Sequence, residues 1–177
     1  MSISEKLQSV IRNVPDFPIK GVNFKDISTI FLHHEIVAES AAMLSAHWAG
    51  KGATKILAID SRGFLFAPQM ACSLKVALVL VRKKGKIPPP TIARSYELEY
   101  GNATIEVYAE AIQAGDKVII HDDLLATGGT ALAAAQLAQQ LGAEVIGFSF
   151  LIELDFLGGK EKLKTISADI HTIVNYI

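Results

Sequence analysis

The sequence predicts one α/β domain in which a mostly parallel, twisted sheet carries helices on both faces. Short apolar strands alternate with amphipathic helices along most of the 177 residues, a pattern typical of parallel sheets that are covered on both sides. Half of the residues are hydrophobic and 20% are charged, so the chain can bury one substantial core but is short for two. We therefore expect a single domain over residues 1–177.

The N-terminal part predicts two helices separated by an irregular apolar segment. Ser2 and Glu5 have the spacing of a capping box, and the apolar stripe of Ile3–Val14 predicts a first helix that ends before the first proline. Residues 15–32 interleave prolines and glycine with large apolar side chains, so we expect a loop that covers part of the core. A second helix is predicted over His34–Trp48.

The rest of the chain alternates between strand and helix. Buried strands are predicted at 56–59, 76–81, 118–120, 145–151 and 170–177, helices at 65–74, 134–141 and 160–163, and the arms of a hairpin at 91–96 and 104–108. Gly142 stands where a glycine commonly closes a helix. These elements are sufficient for a mostly parallel sheet with helical layers.

Charge and cysteine content restrict the class of protein. Lys and Arg number 17 against 18 Asp and Glu, a net charge of −1, so no overall positive field attracts nucleic acid or an anionic membrane. The sequence shows no secretory signal and no apolar run long enough to span a bilayer, and we expect a cytoplasmic protein. The single cysteine, Cys72, cannot form an internal disulfide, and its apolar neighbours predict a buried, inert thiol.

The most informative stretch is Val118–Thr130. A buried strand leads into Asp122 and Asp123, and the turn Ala126-Thr127-Gly128-Gly129-Thr130 then opens a helix. Ligands of open α/β sheets bind beyond the carboxyl ends of strands, and glycines with threonine hydroxyls at a helix start suit a phosphate. The turn has no lysine, which disfavours a nucleoside triphosphate. Adjacent carboxylates can accept the hydrogen bonds of a diol, so the stretch predicts bound ribose 5-phosphate.

This ordered stretch resembles the phosphoribosyl diphosphate signature of the type I phosphoribosyltransferases. Further segments in the same order resemble the adenine-using branch of that family: Pro15–Pro18, Gly21–Ser28, Asp60–Phe64 and Ser95–Gly101. The resemblance extends from about residue 12 to about residue 165. It implies transfer of the 5-phosphoribosyl group from phosphoribosyl diphosphate to adenine, giving AMP and pyrophosphate in purine salvage. The chain departs from the pattern at Lys25, where arginine is expected, and at His121, where an apolar residue is usual.

The resemblance also implies roles for individual residues. The implied catalytic residues are Glu99, Asp122, Asp123 and Arg62. The implied contacts to phosphoribosyl diphosphate are Ser61, Arg62, Gly63, Arg82, Lys83, Lys86, Asp122, Asp123, Ala126, Thr127, Gly128, Gly129 and Thr130. The implied contacts to adenine are Val22, Asn23, Phe24 and Lys25, with Phe24 stacked on the base. Glu99 would act as general acid or base toward the purine.

The family pattern divides the domain into functional segments. Residues 1–32 would form a hood that binds the base, residues 83–108 a basic loop and a flexible hairpin lid, and residues 118–130 the phosphoribosyl diphosphate motif. The basic loop would reach the pyrophosphate across the interface of a homodimer. The histidines and the cysteine lack metal-ligand spacing, so the expected cofactor is Mg²⁺ carried by the diphosphate rather than by the protein.

Two other hypotheses stay open at this point. The first keeps the reaction but changes the acceptor to a 6-oxopurine or orotate, against which the Glu97–Gly101 loop and the Phe24 segment argue. The second is a regulator that senses phosphoribosyl diphosphate without turning it over. Such a regulator needs a nucleic-acid surface, and the net charge of −1 and the lack of an added helix-turn-helix pattern argue against it.

Overall fold

The computed structural model describes residues 1–97 and 101–177. Its strands are β1 (Arg12–Pro15), β2 (Asn23–Asp26), β3 (Lys55–Ile59), β4 (Ala77–Lys83), β5 (Thr91–Glu97), β6 (Asn102–Tyr108), β7 (Lys117–Leu125), β8 (Glu144–Leu154) and β9 (Ile170–Tyr176). Its α-helices are α1 (Ile3–Val10), α2 (His34–Trp48), α3 (Ala67–Leu74), α4 (Gly129–Gln140) and α5 (Gly159–Leu163). Short 3₁₀ helices lie at Ile27–Leu32, Arg62–Phe64 and Asp155–Leu157.

The main sheet has the strand order β5-β6-β4-β3-β7-β8-β9. The strands from β4 to β9 along this order run parallel, while β5 and β6 form an antiparallel hairpin at one edge. The predicted mostly parallel sheet and its hairpin are therefore confirmed. Ala58 on β3 lies opposite His121 on β7, and β3 ends at the next residue while β7 continues to Leu125. The loops that follow them must meet at the same edge of the sheet.

Helices cover both faces of the sheet, as the alternation predicts. On one face α1, α2 and α3 bury large side chains, among them Trp48 and Met70. On the other face α4 and α5 contribute Leu137 and Leu163, which are fully buried. Burying one such side chain stabilises the folded state by about 1.5–3 kcal/mol. Both helical layers therefore stabilise the central strands on which the site loops stand. Gly142 takes a left-handed φ of +83° just after α4.

The N-terminal segment differs from the prediction. Helix α1 ends at Val10, and Arg12–Pro15 continues as strand β1, which pairs antiparallel with β2 so that Val14 lies opposite Phe24. The expected loop of residues 15–32 thus contains a strand and a 3₁₀ helix with Ile27 buried. Val14 is compatible with both the helical stripe and a strand. Strand β2 supplies hydrogen-bond partners for the backbone of this segment, and helical periodicity carries no information about such a partner.

Cys72 is exposed, contrary to the prediction of a buried thiol. It lies on α3 directly after Met70 and Ala71, which face the core. Its apolar sequence neighbours suggested burial, but the 100° turn between successive helical residues points the thiol outward. Within residues 1–97 and 101–177, no helix combines the length and apolar character needed to cross a membrane.

Candidate active site

The loop after β3 packs directly against β7. A β-carbon built on Gly63 would lie 2.9 Å from the carbonyl oxygen of His121 and 3.1 Å from the α-carbon of Asp122. Only glycine permits this approach between two backbones. Gly63 therefore fixes the Ser61–Gly63 loop against the strand segment that carries the two predicted carboxylates.

Asp122 and Asp123 are the next feature of the site, and they lie within β7 rather than after it. Asp122 Oδ1 accepts a hydrogen bond of 2.8 Å from the backbone N–H of Asp123. Asp123 is only 3% exposed, and its Oδ2 lies 3.1 Å from Nε of Arg62, which forms an ion pair with it. Two adjacent acids thus lie near the end of β7, and the arginine of the neighbouring loop pairs with the second of them.

The electrostatics of this pair favour a ligand with donor groups or positive charge. Burial, and then the neighbouring Asp123 carboxylate, raise the pKa of Asp122 well above its usual range. Burial also raises the pKa of Asp123, and the guanidinium of Arg62 opposes that rise. Two negative charges in this environment are costly. Hydroxyl donors or a developing cation at this position would relieve that cost.

The predicted phosphate-binding residues form the turn after β7 and the first two residues of α4, hereafter the phosphate loop (Ala126–Thr130). Gly128 has a φ of +75° and precedes the first turn of α4. A pocket of about 90 Å³ lies against the phosphate loop, and Asp122 and Phe150 also line it. The first N–H groups of a helix lack partners within the helix and carry positive partial charge. The structure therefore brings Asp122 and the predicted phosphate-binding turn together in one pocket.

The base-binding candidates lie beside Arg62. The ring centroid of Phe24 is 5.2 Å from the Arg62 guanidinium, and the edge of Phe17 packs on the same ring with a centroid distance of 5.2 Å. Val22 and Asn23 are exposed next to it. Arg62 is thus in contact with the aromatic ring of the hood on one side and with the carboxylate of Asp123 on the other.

Lys25, the fourth base-binding candidate, contacts residues of the hood and of β9. Its Nζ donates a hydrogen bond of 2.5 Å to Oδ1 of Asn13 and lies 4.0 Å from the ring centroid of Tyr176. Burial lowers its pKa. These contacts explain how lysine is accommodated where the family pattern has arginine, and they tie β1, β2 and β9 together.

The basic residues at the end of β4 and in the loop after it, hereafter the basic segment (82–87), are held by two acids to which the sequence analysis assigned no role. Nε of Arg82 donates a 2.7 Å hydrogen bond to Asp60, whereas the side chains of Lys83 and Lys86 are exposed. Glu106, only 4% exposed, lies opposite Arg82 on β6. An acid between buried Ile105 and Val107 was the available signal, because a carboxylate is rarely buried without partners.

Glu106 organises the backbone of the basic segment. Its Oε1 accepts hydrogen bonds from the backbone N–H groups of Gly85 (2.8 Å), Lys86 (3.1 Å) and Ile87 (3.3 Å). The basic segment and the phosphate loop also share a pocket of about 570 Å³, which is lined by Lys83, Lys84, Tyr96, Ala103, Thr104 and Thr130. The candidates for pyrophosphate and phosphate binding therefore border one space. Glu99 lies outside the described residues, so its role stays a prediction.

Two carboxylates near the end of a buried strand, a glycine turn at a helix start and an arginine on the adjacent loop form the arrangement that the sequence predicted for a phosphorylated sugar. The class of protein with this site on such a sheet is the phosphoribosyltransferases. Residues 26–174 match the model of the phosphoribosyl transferase domain. This match covers both central strands, the phosphate loop and the basic segment.

Individual relatives narrow the family. The adenine phosphoribosyltransferase of Geotalea uraniireducens is 43% identical over 159 residues, which are 90% of this chain and 93% of that protein. The crystal structure of adenine phosphoribosyltransferase from Rhodothermus marinus has a TM-score of 0.91, 43% identity and 98% coverage of both chains. The Giardia lamblia enzyme complexed with 9-deazaadenine has a TM-score of 0.93 and 35% identity, over 100% of this chain and 99% of that one. The chain belongs to the adenine phosphoribosyltransferase family.

Proposed function

We propose that this protein transfers the 5-phosphoribosyl group from phosphoribosyl diphosphate to adenine, releasing pyrophosphate and forming AMP. The contacts of Arg62 carry this proposal, because its guanidinium joins the Phe24 ring to the Asp123 carboxylate at the sheet edge. A base stacked on Phe24 would then lie next to a ribose held by the carboxylates. The names of the relatives and the 9-deazaadenine bound to the Giardia enzyme support adenine as the base.

The reaction replaces one bond at ribose C1 with another. The bond to the pyrophosphate oxygen breaks while N9 of adenine attacks from the opposite face, and positive charge develops on the sugar ring. Asp122 and Asp123 would stabilise that charge, because they are already held in a site where burial disfavours their negative charge. Losing one preorganised contact of this kind typically costs about 10²–10³ in rate. Glu99, as general base, would accept the proton that adenine loses as the N9–C1 bond forms, and would return it in the reverse reaction.

The proposed cofactor is Mg²⁺ bound to the diphosphate. The site residues fit this ion, since the carboxylates of Asp122 and Asp123 are hard oxygen donors that can also accept hydrogen bonds from its water ligands. When bound, Mg²⁺ would neutralise charge on the departing pyrophosphate. Arg62 and the basic segment would share that task through their own positive charges.

We further propose that the chain works as a cytoplasmic homodimer. An apolar pocket of about 320 Å³ lies beside the basic segment, and its lining includes Leu78, Leu80 and Pro88. Leu80 on β4 and Tyr108 on β6 are 41% and 43% exposed, and these two strands are neighbours in the sheet. A second copy of the chain would bury this patch and bring the basic segment near the partner's site. The single cysteine suits a reducing compartment.

Steady-state kinetics with adenine, hypoxanthine, guanine and orotate test the proposal. Adenine presents a donor at N6 beside an acceptor at N1, and hypoxanthine and guanine invert both, so a hydrogen-bonding site should favour adenine by about 10⁴ in kcat/KM. Phe24→Ala should weaken binding of the base, and Asn23→Ala should keep the preference. A kcat/KM for hypoxanthine or guanine within about tenfold of adenine would reject the adenine assignment. Binding of phosphoribosyl diphosphate without turnover of any base would favour the regulator.

A further inference from the structure

Gly159, at the start of α5, is buried against the phosphate loop. A β-carbon built on Gly159 would clash with the carbonyl oxygen of Ala126 and would lie 3.0 Å from the backbone nitrogen of Gly128. The contact is reciprocal, because a β-carbon on Gly128 would lie 2.9 Å from the carbonyl oxygen of Gly159. The two backbones are therefore as close as glycines allow.

Residue 159 must be glycine because there is no room for a β-carbon, and not because of its backbone conformation. Its φ is not in the left-handed region, whereas Gly158 just before it has a φ of +67°. A β-carbon on Gly158 would meet no atom of the described residues within 4 Å. Two adjacent glycines thus separate two effects: a side chain at 158 strains only its own backbone, and a side chain at 159 pushes on the phosphate loop.

A half-buried ion pair holds α5 in this position, since Lys160 is 35% exposed and its partner carboxylate is buried. Nζ of Lys160 lies 3.3 Å from Oε2 of Glu153, which is 1% exposed. The same oxygen accepts a 3.2 Å hydrogen bond from the hydroxyl of Thr172 on β9. Glu153 lies opposite Leu125, the last residue of β7, so the anchor sits on the strand next to the one that leads into the phosphate loop. Removing the Lys160 cation would leave the buried Glu153 carboxylate uncompensated, which is costly.

We propose that Gly159 is a positioning residue for the phosphate loop and that the Lys160–Glu153 pair holds it there. The bare α-carbon of Gly159 supports Ala126–Gly128 from behind, in the conformation whose N–H groups receive the 5′-phosphate. The inference rests on the proposed function, because it needs the loop to bind that phosphate. It predicts effects on phosphorylated sugars and not on the base.

The experiment compares Gly159→Ala with the matched control Gly158→Ala. Binding of ribose 5-phosphate and of AMP is measured by calorimetry, KM for phosphoribosyl diphosphate and for adenine by kinetics, and folding by thermal unfolding. Gly159→Ala should raise the Kd for ribose 5-phosphate and the KM for phosphoribosyl diphosphate by about tenfold or more, with the KM for adenine within about twofold. Gly158→Ala should retain wild-type affinities despite its strained φ.

Wild-type affinity of folded Gly159→Ala for ribose 5-phosphate would overturn the inference while leaving the proposed function intact. If the wild type itself fails to bind ribose 5-phosphate, the proposed function and the inference fall together. Should Gly159→Ala not fold, Lys160→Met and Lys160→Arg decide the matter. Lys160→Met should raise the KM for phosphoribosyl diphosphate and Lys160→Arg should restore it, whereas an unchanged KM in folded Lys160→Met overturns the inference.

Discussion

The phenolic oxygen of Tyr96 lies 3.1 Å from the hydroxyl of Thr130, so a hydrogen bond joins strand β5 to the phosphate loop. Arg94, two residues earlier on the same strand, donates a 3.1 Å hydrogen bond to Gln136 farther along α4. The hairpin proposed as the lid is therefore attached twice to the helix whose first turn would bind the phosphate. Occupancy of the phosphate loop and the position of this strand should be linked.

Tyr96→Phe removes one of these attachments while keeping the aromatic ring. A typical hydrogen bond contributes about 1 kcal/mol, so kcat/KM for phosphoribosyl diphosphate should fall by about fivefold. Thr130→Val should lower this kcat/KM further, because it also removes a hydroxyl proposed to donate a hydrogen bond to the phosphate. In the double variant the Tyr96→Phe change should add little, and a double-mutant cycle with fully additive effects would contradict the link.

Asp122→Asn should make the protein more stable and much less active. Because the pKa of Asp122 is raised in the folded state, folding favours the protonated carboxyl, and the ionised form at neutral pH destabilises the native state. Removing that charge should raise Tm at pH 7.5 by about 2–4 °C, as expected for roughly 1 kcal/mol in a chain of this size. The kcat should fall by about 10².

The stabilisation by Asp122→Asn should shrink as the pH is lowered. Below the unfolded pKa of aspartate the wild-type carboxyl is protonated in both states and resembles the amide. Thermal unfolding of both proteins between pH 4 and pH 8 checks this. A Tm difference that is independent of pH would show that the burial of charge is not the cause.

His121→Val should reduce the loss of stability at acidic pH. Burial lowers the pKa of His121 to about 4, so the folded ring stays neutral while the unfolded chain binds a proton below about pH 6.5. The unfolded state then holds more protons, and stability falls as the pH drops from about 6.5 toward 4. Between pH 7.5 and pH 5 the variant should lose about 2 kcal/mol less than the wild type. His34→Gln, at an exposed site, is the control and should keep the wild-type pH dependence.

Glu106→Gln should disturb the basic segment. Burial would raise the pKa of Glu106, but the N–H groups of Ile87, Gly85 and Lys86 more than offset this and lower it. The charged form is thus favoured in the folded state, and its stabilisation is present above the unfolded pKa and lost as the pH falls. We expect a higher KM for pyrophosphate in the reverse reaction with little change in the KM for AMP. Equal effects on both ligands would indicate a general loss of structure instead.

Mixing two inactive variants tests the proposed homodimer. Asp123→Asn disables the carboxylate pair, and Lys86→Ala removes an exposed basic side chain without breaking the Arg82–Asp60 pair. If the basic segment serves the partner's site, hybrid dimers carry one site with both residues intact, and activity should partly return. Absence of recovery after subunit exchange has been verified by mass spectrometry would place Lys86 in the site of its own chain.

Local patterns were sufficient for the sheet, both helical layers and the order of the loops. The apolar run Val118–Ile120 and the Asp-Asp and Gly-Gly pairs after it are formed by residues adjacent in the chain. Such local patterns can be recognised in the sequence without the structure. The predictions for Val14 and Cys72 were wrong. The pattern around Val14 is compatible with a helix or a strand, and the apolar neighbours of Cys72 are compatible with either face of α3. A strand partner decided the first case and the orientation of α3 decided the second.

The sequence by itself predicted which residues would carry the chemistry: the carboxylates of β7, the phosphate loop, Arg62 and the aromatic hood. Only the tertiary structure decided how they are held, through Arg62 between Phe24 and Asp123, Glu106 beneath the basic segment, and Gly159 behind the phosphate loop. The physical reason is distance along the chain. A motif is a local arrangement of residue types, whereas these contacts join segments many residues apart and exist only once strand register and backbone packing bring them together.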